Sequence, residues 1–422
     1  MTKVVFTICS ANHLPLARTL ASSLKRAEHD VRFIVFLADV LSPPVQQLAG
    51  ELEIVPIDRL GIPNLRRMTF RYGILELNTA IKPNCFDYVF DVLGFQAAVY
   101  LDADIYVLKA LDHVHHALGN GTSCVLTPHL TAPLPYDGEK PDDYTFMQAG
   151  MYNLGFLGLG NTPEARAFNT WWGQKTQEDC FVAQDRGVFV DQKFVDFAPS
   201  FMSDVLILRH PGYNVAYWNL PQRQVSRAGD RFMVNQTFDL HFFHFSGIDL
   251  KNRKTFSKYQ TRFKTSELGP AINDLYDAYV AEVRSNASIN GAALSEMPYG
   301  FGALRNGMPI SQAMRVIYAR REKEISKETD PFELDPEFFD VRSFVTETTS
   351  HVPPYELAFL LSKALAGRSF IVQNFVRLML TGKQRVLDHW SRRLATVAPR
   401  GTPQTTASPG KPPSAAAPPT EK

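Results

Sequence analysis

The sequence predicts an α/β domain with a largely parallel sheet, followed by a mainly helical region and a disordered tail. Three observations carry that expectation. Apolar strands alternate with helical periodicity through the first hundred residues. Beyond residue 266, Ile272, Leu275, Tyr276, Tyr279, Val280 and Val283 trace one helical stripe. Residues 396–422 hold seven of the 28 prolines among Thr, Ser and Ala, a composition that supports no core. The expected boundaries are therefore 1–266 for the α/β domain, 267–345 for a helical extension, 346–395 for a basic amphipathic helical segment and 396–422 for the tail.

The elements follow in order. Residues 4–8 are apolar, Leu16, Leu20 and Leu24 recur every four residues, and 31–37 are apolar again, a strand, helix and strand. Asn12 stands where a helix cap belongs, and Lys25 and Arg26 stand where the helix dipole favours cations. A strand over 53–57, a helix over 65–81 and a buried strand over 97–108 continue the alternation. Then come a strand at 124–127, a polar loop over 128–143, a strand at 151–159, a helix opened by Pro163, and strands near 205–208 and 240–245. The stretch 128–144 is long enough to serve as a lid. Asn306 to Ile310 reads as a turn before a helix holding Met314 and Ile317, and 355–394 reads as helical with breaks at Gly367 and Gly382.

Composition excludes several classes. The 44 Lys and Arg against 43 Asp and Glu leave a net charge of +1, so no broad positive field exists and no nucleic-acid partner is expected. Cys9, Cys85, Cys124 and Cys180 are far apart without a C-x-x-C pair, which predicts free thiols in a reducing compartment. The first ten residues lack a signal-like apolar run, and no stretch reaches about 18 uncharged apolar residues. A cytoplasmic location is the expectation. Residues 355–395 set seven Lys or Arg against Glu356 and Asp388 among Leu, Phe and Ile; this reads either as peripheral contact with the inner, anionic face of a membrane or as a helical packing surface with a basic exterior.

The chemistry centres on Tyr100-Leu101-Asp102-Ala103-Asp104-Ile105. On an extended chain the carboxylates at i and i+2 share a side, where both reach one hard cation and leave positions open for diphosphate oxygens. The motif alone is weak, since a solvated turn produces it too. Its place at the end of a buried strand, where open α/β sheets bind ligands, strengthens it.

Together with Asn153-Leu154-Gly155, Val190-Asp191-Gln192 and His244-Phe245-Ser246-Gly247 in that order, and with residues 7–12 on the first loop, this motif resembles glycosyltransferases of the GT-A fold, a Rossmann-like architecture. Within them it is most similar to glycosyltransferase family 8, the glycogenin and lipopolysaccharide galactosyltransferase group, over about residues 3–265. The resemblance implies Mn²⁺ (or Mg²⁺) held by Asp102, Asp104 and His244, with His241 as a rival third ligand. It implies a UDP-sugar donor contacted by Thr7, Ser10, Asn12, Asp39, Arg71, Lys82, Asp102, Ala103, Asn153, Gly155, Gly247, Lys251 and Lys254. The family's Lys-Pro-Trp after the final Gly is missing, so Lys251, Arg253, Lys254 and Lys258 compete for the diphosphate. For Lys82 the alternative is a helix-end cation favoured by the dipole, with Arg71 a weaker rival for the donor. Asp191 and Gln192 take the catalytic place beside the transferred sugar, or Asp191 caps the helix that follows. Residues 210–214 and 217–219 offer aromatic and amide groups suited to sugars or to an ordinary core.

The implied reaction moves a hexose from the nucleotide to a hydroxyl of a glycan or lipid-linked acceptor, with retention at the anomeric carbon. The alternatives are an inverting GT-A transferase, separated by product anomericity, and a metal-dependent nucleotidyltransferase or non-catalytic nucleotide-sugar binder, separated by pyrophosphate release or by lack of turnover.

Overall fold

The computed structural model describes residues 3–250, 256–289, 292–293 and 297–339. Strand β1 (Lys3–Cys9) leads into helix α1 (Leu14–Ala27), β2 (Val31–Leu37), α2 (Pro43–Ala49) and β3 (Glu53–Pro56). Helices α3 (Leu65–Arg71), α4 (Ile74–Ala80) and α5 (Lys82–Asp87) precede β4 (Ala97–Leu101) and the short β5 (Ile105–Val107). Then follow α6 (Asp112–Gly119), β6 (Cys124–Pro128), α7 (Asp143–Ala149), β7 (Tyr152–Gly160) and α8 (Pro163–Asp179).

The expected α/β class is what the chain adopts. One seven-stranded sheet runs in the order Val205–Ile207, β6, β7, β4, β1, β2, β3. Pairing is parallel between β1 and β2, β2 and β3, β1 and β4, and β6 and Val205–Ile207. Only β7 runs antiparallel to its neighbours in this sheet. Val5, Phe6, Ile34, Val35, Phe36, Val99 and Leu101 are at most 1% exposed, as strands covered on both faces require.

Three expectations of local structure are corrected. The helix expected over 65–81 is broken: Tyr72 turns extended so that its hydroxyl reaches the Thr176 carbonyl at 2.8 Å, and Gly73 opens α4 with its amide on Glu76 Oε2 at 3.0 Å. The strand expected over 97–108 is two strands, because the chain turns at residues 102–104 and β5 leaves to pair antiparallel with Phe242–His244. Asn12 does not cap α1, which starts at Leu14; its Oδ1 accepts the Ser10 hydroxyl at 2.6 Å.

The helix Pro270–Ala287 buries the predicted stripe in a separate apolar cluster with Val234, Phe243 and Phe256, with Tyr279 stacked on Phe245 at 4.1 Å between ring centroids and Arg26 bridging Glu282 at 2.8 Å. Each such buried side chain contributes about 1.5–3 kcal/mol. Met314 and Ile317 lie buried on Gln312–Arg321, which is capped by the Ser311 hydroxyl. Tyr318, Phe332 and Phe339 surround Phe70 at 4.7–5.6 Å. The four cysteines are buried and unpaired. No helix among the described residues is long and apolar enough to cross a membrane. The segments expected over 346–395 and 396–422, including Gly367 and Gly382, lie outside the described residues.

Candidate active site

The sheet reverses its winding between β1 and β4, since β2 and β3 lie on one side and β4 on the other. A crevice opens at the carboxyl ends of such a pair. The loop after β1 and the Asp102-Ala103-Asp104 turn after β4 both emerge there. The two carboxylates converge through that turn, not along an extended strand as their spacing suggested. Asp102 N donates to Gly155 O at 2.7 Å, and Ile105 N closes the turn onto Asp102 O at 3.1 Å.

His244 arrives from elsewhere in the chain. Pairing with β5 sets it opposite Ile105, and Phe245 N binds Asp104 O at 3.0 Å. His244 Nε2 then stands 3.0 Å from Asp104 Oδ1 and 3.6 Å from Asp102 Oδ2. The three ligand atoms lie within 4.8 Å of one another. The imidazole is 2% exposed, whereas the carboxylates are 36% and 28% exposed, so the triangle is rooted in the core and open on one side.

Asn153 fixes the ring. Its Oδ1 accepts from Asn214 Nδ2 at 3.0 Å and Gly155 N at 3.2 Å, and it stands 3.2 Å from His244 Nδ1. That arrangement puts the proton on Nδ1 and turns Nε2 toward the carboxylates. The Trp218 ring packs edge-on at 5.2 Å. Gly155 is required for this approach, because an added Cβ would lie 2.8 Å from His244 Nδ1 and 2.9 Å from Asn153 Oδ1, and closer still to Cε1.

A lone pair facing two carboxylates calls for a cation between them. In the protein alone a proton serves: burial opposes charge on His244, but Asp104 and Asp102 raise it above the ordinary imidazole value. Burial also raises Asp104, yet His244 and then His13 bring it below the usual carboxylate range. Asp102 is raised, chiefly by burial, although Lys82 and His244 oppose this. Its Oδ1 accepts the Tyr100 hydroxyl. Two carboxylates and an imidazole with its second nitrogen anchored form a donor set that fits a divalent cation such as Mn²⁺.

Behind the triangle lies a buried ion pair. Lys82 opens α5, so it is not the dipole-favoured helix-end cation. Its ammonium sits 2.6 Å from Asp191 Oδ2, donates to Leu154 O at 3.0 Å and lies 4.2 Å from the centre of the Tyr100 ring. Both side chains are 1% exposed. Burial raises Asp191, and Lys82 counters it. Asp191 makes no side-chain cap to the turn that follows. Gln192 Oε1 accepts Leu154 N and its Nε2 donates to Ala149 O, both at 3.0 Å, which anchors the start of β7.

The remaining predicted residues divide. Thr7 is fully buried in β1 with its hydroxyl unpartnered, and Ser10 and Asn12 bond each other on the first loop. Asp39 is 3% exposed and accepts three backbone amides. Arg71 turns away to Glu322, at 2.6 Å, and to the Gln177 carbonyl. Gly247 has φ +71°, and a Cβ there would lie 2.6 Å from Tyr259 Cε2. His241 bonds Ala110 O at 2.7 Å and stacks on Tyr213 beside His113 and His210, which removes it as a rival ligand. Tyr213 and His210 belong to that second cluster, while Asn214 and Trp218 stand beside the triangle. Lys251, Arg253 and Lys254 lie outside the described residues.

The sequence reading missed His13, an exposed neighbour of Asp104 on the first loop, and His129, whose ring lies 5.3 Å from Trp218 and whose Nε2 bonds Asn153. Burial holds His129 neutral, down to about 3. Only the position of His13 beside Asn12 offered a signal.

The fold and site define an α/β protein with a carboxylate–histidine centre at the switch point of its sheet. No family model matches the chain. The chain belongs to the family of YfnD, an uncharacterised protein of Bacillus subtilis (strain 168): the two are 35% identical over 262 residues, covering 60% of this chain and 79% of YfnD. YfnF of the same organism is 23% identical over 280 residues, covering 65% and 91%. Among solved structures, the chain is similar to the galactosyltransferase LgtC in complex with donor and acceptor sugar analogues, at 16% identity and TM-score 0.42, covering 68% of this chain and 97% of LgtC. It is also similar to the glycosyltransferase GlyE of Streptococcus pneumoniae TIGR4, at 12% identity and TM-score 0.38, covering 68% and 63%.

Proposed function

We propose that the protein is a cytoplasmic, metal-dependent glycosyltransferase that moves a hexose from a UDP-sugar to a hydroxyl of a glycan or lipid-linked glycan, with retention. The observation that carries this reading is the Asp102, Asp104 and His244 triangle at the sheet's switch point, open to the loop that holds Ser10, Asn12 and His13. A divalent cation bound there supplies the positive charge that a departing diphosphate needs. Asn153 keeps His244 oriented, and Tyr100 orders Asp102. Lys258, whose backbone amide bonds Gly247 O at 2.9 Å, is a described cation beside this loop for the leaving phosphate, in place of the missing family lysine.

We assign Asp191 and Gln192 to the donor side of the site, as buried supports behind the triangle. The pairing of Asp191 with Lys82 supports retention over inversion, because a carboxylate held by a buried ammonium is a poor general base. The leaving phosphate then takes the acceptor's proton, and Asp191 holds Lys82 and the start of β7 in place.

The test is a thermal-shift titration with UDP, GDP, CMP and ATP, with and without Mn²⁺, on wild type and Asp104→Ala. Ligand at about 100 times its Kd adds about 2.7 kcal/mol. Stabilisation by UDP only, only with Mn²⁺ and only in wild type is the expected result; stabilisation by ATP, or by nothing, refutes the reading. The product anomer formed from a UDP-sugar panel then decides between retention and inversion.

A further inference from the structure

Asp39 ends β2 at the same edge of the sheet as the first loop, yet its oxygens do not face an open crevice. Oδ2 accepts Ala11 N at 3.1 Å, while Oδ1 accepts Val40 N and Gly300 N, each at 2.8 Å. Gly300 comes from the segment after the long helix Pro270–Ala287, far along the chain. An added Cβ at Gly300 would lie 2.6 Å from Val40 Cγ2 and 2.8 Å from Asp39 Oδ1, so this approach admits glycine alone.

The next residue is held as firmly. Arg315, 5% exposed, donates through Nη2 to Phe301 O at 2.8 Å and through Nη1 to the carbonyls of Thr69, Phe70 and Tyr72 at 2.5–3.0 Å. One hydrogen-bonded path therefore runs from the end of α3 through Arg315, Phe301, Gly300 and Asp39 to Ala11. Ala11 begins the short turn carrying Asn12 and His13, and His13 is the neighbour of Asp104.

We infer that Asp39 is a positioning residue: it latches the segment around Gly300 to the first loop and so holds that loop in the conformation that receives the nucleotide. The inference rests on the transferase reading for the identity of that ligand. A carboxylate that accepts amides from two distant stretches, at Ala11 and Gly300, as well as from its own neighbour Val40, fixes their spacing, and charged acceptors make the stronger hydrogen bonds. The stretch from Gly300 to Arg315 is then part of the nucleotide-binding apparatus, not an appendage to the α/β domain.

The experiment pairs hydrogen–deuterium exchange over residues 9–14 with UDP–Mn²⁺ titration, on wild type, Gly300→Ala, Asp39→Asn and a control, Gly119→Ala, where an added methyl meets nothing within 4 Å. Expected for Gly300→Ala and Asp39→Asn is faster exchange at 9–14, Kd and donor KM about tenfold higher, and kcat unchanged; the control matches wild type. A general loss of stability would instead lower the active fraction and leave KM alone. Unchanged exchange at 9–14 in both variants, or faster exchange with wild-type Kd and KM, overturns the inference. If exchange quickens but wild type itself binds no nucleotide, the transferase reading falls and the latch stands as a structural link.

Discussion

Replacing Gly155 by alanine separates the site from the fold. The methyl would lie 2.8 Å from His244 Nδ1, where ordinary contact begins at 3.4 Å, and closer still to Cε1, so the ring must retreat by more than about 0.6 Å or the β7 backbone must bend. Metal–ligand distances tolerate about 0.2 Å, and disturbing the groups that orient a ligand weakens metal affinity about 10–100-fold. Gly155 sits inside β7, but the methyl is directed at His244 and Asn153 and not at the hydrophobic packing beneath. The expected outcome is a folded protein, with a melting temperature within a few degrees of wild type, whose Mn²⁺ Kd by calorimetry or by the paramagnetic signal of free Mn²⁺ rises at least about tenfold. Wild-type Mn²⁺ affinity in Gly155→Ala would refute the claim that His244 is a ligand held by this packing.

Other consequences follow from the same contacts. Lys82→Met strands Asp191 at 1% exposure, which costs about 3–5 kcal/mol and lowers the melting temperature by about 4–7 °C for a compact unit of 347 residues; adding Asp191→Leu should recover much of the loss, and no recovery would show that the pair is not the cause. Asn153→Leu removes the acceptor facing His244 Nδ1, and Mn²⁺ affinity should fall about 10–100-fold with little change in secondary structure by circular dichroism. Glu28 is pushed up by burial, but His115 and Lys3 prevail and bring it from 4.5 down to about 2. A depressed carboxyl stabilises fully above its unfolded value and loses that contribution as pH falls from about 4.5 toward 2, here about 3 kcal/mol. Urea unfolding between pH 6 and 3 should therefore show a shallower acid decline in Glu28→Gln than in wild type; parallel curves would exclude Glu28 as the source.

The strand and helix periods determined the sheet class, the helix after residue 266 and the buried faces of both, because burial on one side of a regular element imprints its repeat on the sequence. They did not show where elements break. Tyr72 interrupts a good helical pattern through a hydroxyl bond to Thr176, a partner about a hundred positions away. The break after Leu101 is set by Gly155 accepting from Asp102 N and by the strand that carries His244.

At the site, residue types marked Asp102 and Asp104 as carboxylates able to share a hard cation, whereas His244 entered only through the family resemblance with His241 as its rival, and it is the chain crossing that brings His244 beside both carboxylates. What each neighbour does was settled only by the tertiary structure. Lys82 and Asp191 became one buried pair, Asp39 a clip on three backbone amides, Arg71 a strut to Glu322, and His241 a member of a separate aromatic cluster. Chemical competence is a local property that the sequence states directly. Which oxygen meets which nitrogen depends on register and chain crossings between distant segments, and no local pattern encodes those.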